Sequence, residues 1–177
     1  MASKVTAVGP ILRPRSDWTK RLARAEAGLP DRALVIAVFI QPGRRTEAIA
    51  PLERLLADAL ALIPTRRQKV VVWDGEYDRT MAAADLAITK GNRNIVRELA
   101  AAGLPSISLS YGLNRIDDIR TCTLTCNRTL TYAEQTPETL AKVMRERLAA
   151  RSGIRPMEFD DGALEAARRV ERWLQSP

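Results

Sequence analysis

The chain has 177 residues, enough for one domain with a proper core and too few for two full nucleotide-binding domains. Its composition, 46% apolar and 28% charged, is ordinary for a soluble globular protein, and no apolar stretch is long enough to cross a bilayer. The N-terminal residues lack the apolar core of a signal peptide, so we expect a cytoplasmic protein.

The absence of histidine excludes several kinds of catalysis. Serine-histidine and cysteine-histidine nucleophiles, imidazole metal ligands and the usual neutral-pH general base are all ruled out. The two cysteines, Cys122 and Cys126, would lie about 13 Å apart on a strand, too far for a disulfide, and two thiols alone make a poor zinc site. We expect them to be buried, reduced thiols.

The charge is strongly basic, with a net value of +7 and a pI of about 10.0. Arginine supplies 23 of the 28 cations, and they occur singly or in pairs such as Arg44-Arg45 and Arg66-Arg67. This spacing favours solvated faces, although an anionic membrane or a nucleic acid remains an alternative partner.

Strands alternate with helices along the chain. Residues 1–31, with three prolines and a short helical pattern, are expected to be an interdomain linker or lead-in. Residues 32–152 are expected to form one domain, and residues 153–177 a linker followed by an amphipathic helix over Ala163–Leu174. Within the domain the pattern predicts strands at Ala33–Ile40, Val70–Trp73, Leu86–Ile88, Ile107–Leu109 and within Thr121–Thr131, and helices at Glu47–Leu62, Met81–Ala84, around Ile95–Ala102 and from Pro137 to Ala150.

This alternation predicts an α/β fold: a Rossmann-like, doubly wound parallel sheet in a single domain. Ligands of such sheets bind at the carboxyl ends of the strands. The segments expected there are Gln41–Thr46, Asp74–Asp78, Thr89–Asn94 and Ser110–Asp118.

Two of these segments are candidate anion loops. In the first, Gly43 and Arg44 form either a plain strand-to-helix turn or a diphosphate contact. The second combines cations, amides and a glycine at the start of a helix, where free N–H groups suit an anion, although Asn92 is also a candidate helix cap. Its candidate binding residues are Lys90, Gly91, Asn92, Arg93 and Asn94.

Two further groups are suited to binding hydroxyls. Glu98, four residues after Asn94, either accepts both hydroxyls of a ribose or pairs on the surface with Arg97 or Arg93. The segment after the fourth strand offers Tyr111, Gly112, Asp117 and Asp118, whose two acids suit a sugar or the start of a helix better than a metal. No metal site is expected.

The run Met81–Ile88, the polar glycine loop after it and the run Val96–Ile107 resemble the C-terminal domain of GT-B glycosyltransferases. The likeness is greatest to the family of the N-acetylglucosaminyltransferase that makes lipid II. It is specific over Met81–Asp118 and weaker but compatible over Leu34–Leu148.

The resemblance implies a domain that binds a nucleotide-diphosphate sugar, UDP- or dTDP-linked, without another cofactor. By the same resemblance Glu98 holds the ribose, Gly91–Asn94 lie under the phosphates and base, Gly43-Arg44 form the first diphosphate loop, and Asp117-Asp118 read the sugar. The family's N-terminal acceptor domain is expected either as another part of a longer protein or as a partner subunit. No catalytic residue is assigned, and the chain alone is expected to be inactive.

Two rival hypotheses remain at this stage. One is a non-catalytic basic α/β module that docks a partner protein or an anionic surface. Peripheral membrane association is instead an expectation of the glycosyltransferase hypothesis, through its acceptor domain. The other is a nucleic-acid binder, which the scattered cations disfavour.

Overall fold

The computed structural model describes residues 11–12, 17–40, 49–73, 76–90, 93–110, 127–159 and 162–175. One single-turn helix spans Tyr132–Glu134 and another spans Arg151–Gly153. The principal elements of this part of the chain are α1 (Lys20–Glu26), β1 (Leu34–Phe39), α2 (Ile49–Ala61), β2 (Lys69–Trp73), α3 (Tyr77–Ala83), β3 (Leu86–Thr89), α4 (Arg93–Ala101), β4 (Ser106–Ser110), β5 (Asn127–Thr131), α5 (Pro137–Ala150) and α6 (Gly162–Leu174).

The five strands form one parallel sheet in the order β2-β1-β3-β4-β5. The chain therefore moves from β1 outward to β2, returns past β1 to β3, and continues to the opposite edge. Helices α2, α3 and α4 connect β1 to β2, β2 to β3 and β3 to β4, as crossovers between parallel strands require. The expected α/β class with a doubly wound, Rossmann-like parallel sheet is confirmed.

The sheet is covered on both faces, which explains the unbroken apolar sequence of β1. On one face Ile36 and Val38 pack with the apolar sides of α2 and α5, including Leu56 and Met144. On the other face the smaller Val35 and Ala37 pack with Leu99 and other residues around α3 and α4. The small side chains on this second face allow its helices to approach the sheet closely.

Helix ends follow the expected chemistry. Thr136 caps α5 by accepting a hydrogen bond from the Thr139 N–H at 3.3 Å, and Pro137 occupies the first helical position. The turns after α1 and α4 contain Gly28 and Gly103, with φ of 63° and 66°. Only glycine adopts this conformation at little cost.

Two details differ from the expectations. The helix α3 begins at Tyr77, four residues before the predicted Met81. The sequence pattern extends α2 to Leu62, but the helix ends at Ala61. Leu62 lies in the turn that follows and is 45% exposed, whereas Leu60 and Ile63 on either side of it are buried.

The predicted lead-in is more closely integrated than its composition indicated. Ala23 and Arg24 of α1 are fully buried, which follows from an ion cluster described below. No helix in the described part of the chain combines the length and apolar character that crossing a membrane requires.

Candidate functional site

The carboxyl ends of β1 and β3 lie side by side at the centre of the sheet. Phe39 at the end of β1 pairs with Thr89 at the end of β3. The segments that follow them therefore leave the sheet from neighbouring positions. They lead to α2 on one face and α4 on the other, since the two helices contribute to opposite core layers. Ligands of doubly wound sheets bind in the crevice that forms at such a point.

The segment after β3 is short, since β3 ends at Thr89 and α4 begins at Arg93. Thr89 is buried, Lys90 is exposed, and the helix already begins at Arg93. Asn94 in the first turn is exposed, and this turn contains no acidic residue. The free N–H groups and partial positive charge of a helix start are therefore not neutralised by a carboxylate of its own first turn.

Glu98 lies in the second turn of α4 and is half-buried. It lines a groove of about 380 Å³ between α3 and α4. The groove is amphipathic: aromatic and apolar side chains accompany a few charged groups, as in many small-molecule sites. Other residues along it include Trp18, Lys20, Tyr77, Met81 and Leu104.

Among the predicted site residues that the structure describes, Glu98 lines this groove, but Lys90 and Asn94 do not. Within the described residues, no three His, Cys, Asp or Glu side chains form a group suited to a metal. Several predicted residues lie outside the described part of the chain: Gly43, Arg44, Gly91, Asn92, Tyr111, Gly112, Asp117 and Asp118, together with both cysteines.

The sequence interpretation missed an ion cluster around Asp85 at the amino end of β3. Its carboxylate is 1% exposed and receives bonds from Lys20 Nζ at 2.6 Å, Arg24 Nη2 at 2.9 Å and Arg67 Nη2 at 3.0 Å. The backbone N–H of Val35, at 2.9 Å, and Arg151 Nη1 are further donors. One carboxylate thus joins α1, β1, the segment before β2 and the end of α5.

A signal for this cluster was present in the sequence. Asp85 stands between the alanines of α3 and the apolar strand β3, where any side chain must be buried. A buried carboxylate requires hydrogen bonds and a counter-charge. The sequence alone does not say which of many arginines provide it, because the partners lie up to 66 residues away.

The cluster shifts the proton affinity of its members. Burial raises the pKa of Asp85, but hydrogen bonds from Lys20 and the Val35 N–H, with the charges of Lys20 and Arg151, outweigh it and lower the pKa to about 2. Burial lowers the pKa of Lys20 to about 8 despite the opposing hydrogen bond and charge of Asp85. Both groups are therefore predominantly ionised at pH 7.

Comparison with known proteins finds no matching family model and no matching curated protein. Solved structures do match. The glycotransferase of kitacinnamycin has a TM-score of 0.60 at 20% identity, over 94% of this chain and 48% of its own. CalG4, the calicheamicin glycosyltransferase, has a TM-score of 0.66 at 20% identity, over 96% of this chain and 47% of its own. Acinetobacter baumannii MurG has a TM-score of 0.56 at 18% identity, over 89% of this chain and 54% of its own.

These matches concern the fold. The chain spans about half the length of each of these structures and is mostly covered itself. The expected resemblance to half of a GT-B glycosyltransferase is confirmed at that level.

Proposed function

We propose that this chain is the donor-binding half of a glycosyltransferase, holding a UDP- or dTDP-linked sugar and requiring a partner half for the acceptor. The observation that carries the proposal is the pairing of Phe39 with Thr89. It starts the two predicted phosphate loops side by side, at the position where this class of sheet binds ligands. The likeness to half of known glycosyltransferases supports the same conclusion.

The proposed diphosphate contacts are cations and N–H groups. Lys90 and Arg93 come from the segment after β3, and Gly43 and Arg44 from the segment after β1. Gly91, Asn92 and Asn94 complete the second loop at the start of α4. Positive charges at these positions would stabilise a departing diphosphate without a metal, because they would neutralise the negative charge that develops on it.

Glu98 is the proposed ribose ligand. It follows the first residue of α4 by five positions, so the helical rise places it about 7–8 Å from the helix start. This separation suits a nucleotide whose phosphates lie at the helix start and whose ribose lies farther along α4. The space in the adjoining groove and its aromatic and apolar walls support this orientation.

The sugar is proposed to contact the segment after β4. Ser110 ends this strand, and Tyr111, Gly112, Asp117 and Asp118 follow it in sequence. Carboxylates accept hydrogen bonds from sugar hydroxyls. In the complete enzyme an acceptor hydroxyl would attack the anomeric carbon, forming a C–O bond while the bond to the diphosphate breaks. The hydroxyl proton would pass to a base on the partner half.

The surface of α6 supports the need for a partner half. Val170, Trp173 and Leu174 are 56%, 75% and 69% exposed and recur on one side of the helix. Burying such a face stabilises an association between domains. The partner proposed to cover it is the acceptor half, because the similar solved chains are about twice as long.

Calorimetric titration of the chain with nucleoside diphosphates and their sugar conjugates tests the donor site. We expect saturable binding below millimolar ligand, abolished by Glu98→Ala and weakened by Lys90→Ala. Lys142→Ala is the matched control, because Lys142 is an exposed residue of α5. Absence of saturable binding up to millimolar ligand would refute the proposal.

The exposed α6 face and the charge of +7 also suit a second candidate, a non-catalytic module that docks a protein or an anionic surface. This candidate predicts that Glu98→Ala leaves partner binding intact. An acceptor-type domain encoded upstream, in the same or an adjacent reading frame, would favour the enzyme. Nucleic-acid binding would also tolerate Glu98→Ala, but it predicts that binding depends steeply on salt concentration.

A further inference from the structure

We propose a second anion site, in a groove lined by Arg67, Arg145 and Arg151, that binds a phosphate group. The groove encloses about 240 Å³ and also touches Leu34, the first residue of β1. It therefore lies at the amino edge of the parallel sheet. The proposed phosphate loops of the donor site follow the carboxyl ends of the strands, at the opposite edge of the sheet. Arg151 also lines the groove that contains Glu98, so the two grooves adjoin at this side chain.

Positive charge exceeds negative charge around this groove. Arg67 and Arg151 share the single carboxylate of Asp85 with Lys20 and Arg24. Arg145 adds a further cation, and none of the described residues that line the groove is acidic. The carboxyl ends of α2 and α5 lie close by, but a helix end supplies only about half a negative charge. A surplus of several charges is left for an anion.

Donor groups are available to such an anion. Arg145 is exposed and makes no hydrogen bond or ion pair within the described part of the chain. Arg151 contacts Asp85 through Nη1 and retains 39% side-chain exposure. Its Nε and Nη2 have no acceptor among the described residues, which leaves N–H groups for a ligand.

The buried end of the cluster holds two of these arginines in place. The Asp85 side chain is 1% exposed and accepts hydrogen bonds from Arg67 Nη2 and Arg151 Nη1. Arg67 Nε also donates a hydrogen bond to the Arg32 carbonyl at 2.7 Å. A guanidinium fixed in this way loses little conformational entropy when it binds a ligand. The groove is therefore partly pre-organised before an anion enters.

The size and chemistry of the groove point to a small phosphate. Its volume is below the 300–1,000 Å³ range that is usual for larger organic ligands. Guanidinium groups match phosphate oxygens with paired, charge-assisted hydrogen bonds. The shared chemistry is a phosphate group, either free or carried as a monoester by a lipid.

The test uses the full chain and two probes at constant ionic strength. Inorganic phosphate is titrated by calorimetry, and vesicles of phosphatidylcholine with or without phosphatidic acid are tested by co-sedimentation. We expect saturable binding in at least one arm, about tenfold weaker in Arg145→Ala and lost in Arg145→Glu, as removal of a charge-assisted contact implies. Exposure of Arg145 allows both variants to fold, which thermal unfolding verifies.

Matched controls are Arg168→Ala and Arg168→Glu, exposed positions on α6 outside the groove. These variants should bind phosphate as the parent chain does. The arm that responds identifies whether the phosphate is free or lipid-borne. No saturable binding in either arm, or equal losses in the Arg168 variants, would overturn the site.

Discussion

Gly103 combines a backbone constraint with a steric constraint. Its φ of 66° lies in the left-handed region, and a Cβ added there would meet the Pro156 nitrogen at 3.0 Å. Backbone rather than a flexible side chain would have to move, because Met157 N–H is bonded to the Ala100 carbonyl at 2.9 Å. The turn after α4 and the segment after α5 are thereby held in close contact.

We predict that Gly103→Ala lowers the free energy of unfolding by about 2–4 kcal/mol, from backbone strain plus overpacking. Gly28→Ala isolates the backbone strain, since Gly28 has a φ of 63° and a Cβ added there would meet nothing within 4 Å. This substitution should lower the free energy of unfolding by about 1 kcal/mol. Gly153→Ala has neither constraint and should be near neutral. Urea unfolding measures all three, and equal losses at positions 28 and 103 would contradict the steric part.

At the residue scale, sequence reasoning succeeds where a side chain acts on its own backbone. Thr136 was recognisable as a helix cap because the hydroxyl, the proline and the acid are consecutive. Asp85 was not recognised as an ion centre, because its partners come from distant segments and only folding brings them together. Glu98 was selected through resemblance and a helical spacing, and its role as a ribose ligand stays a prediction.

Among the elements, α6 carries an apolar face that this chain alone does not bury. We predict that Trp173→Ser changes the free energy of unfolding by at most about 0.5 kcal/mol, because the side chain is 75% exposed. Met144→Ala on α5, which removes a fully buried side chain, should instead cost about 2–5 kcal/mol.

The same Trp173→Ser variant should weaken association with the acceptor half in a pull-down or calorimetric assay. Arg168→Ala on the same helix serves as the control for helix integrity. A large loss of stability in the isolated Trp173→Ser chain would show that α6 already packs on this domain and would remove the argument for a docking face.

Element prediction worked best where a single period dominates. The unbroken apolar run of β1 and the capped start of α5 were both located to within one residue. The start of α3 was missed because its first turn, with Asp78 and Arg79, has no apolar stripe. The strand β5 was placed inside a longer threonine-rich stretch, since polar β-branched residues mark strand tendency without marking where pairing begins.

For the whole molecule, the Asp85 cluster links stability to pH. Its pKa of about 2 lies below the ordinary carboxyl value, so the folded state favours the ionised form. The resulting stabilisation is fully present above about pH 4 and is lost as the pH falls through 2. Lowering the pKa of Asp85 from 3.8 to about 2 corresponds to about 2.5 kcal/mol of folding free energy.

We predict that urea unfolding at pH 7, 4 and 2.5 shows this acid loss and that Asp85→Asn reduces it. The variant should also lose about 3–5 kcal/mol at pH 7, because its cations remain clustered without a counter-charge. Asp58→Asn, on the exposed side of α2, should retain the parent pH dependence. An unchanged acid loss in Asp85→Asn would assign it to other carboxylates.

At this scale the sheet was predictable because strand and helix periods alternate at short spacing. The strand order was not predictable, because no local sequence pattern indicates on which side of β1 the strand β3 lies. Residues 17–31 also pack more closely than a lead-in segment was expected to, since Ala23 and Arg24 are buried against the domain. The domain boundaries therefore stay predictions, with α1 best kept in any shortened chain.

The three tryptophans give the molecule built-in optical reporters of its separate surfaces. Trp18 lines the groove that contains Glu98, Trp73 ends the edge strand β2, and Trp173 is exposed on α6. Keeping one indole at a time and replacing the others with phenylalanine would separate their emission. Ligand entry into the groove should then alter the fluorescence emission of Trp18. Binding of a partner to α6 should shift the emission of Trp173 to shorter wavelength, so the two binding events are distinguishable without an added label.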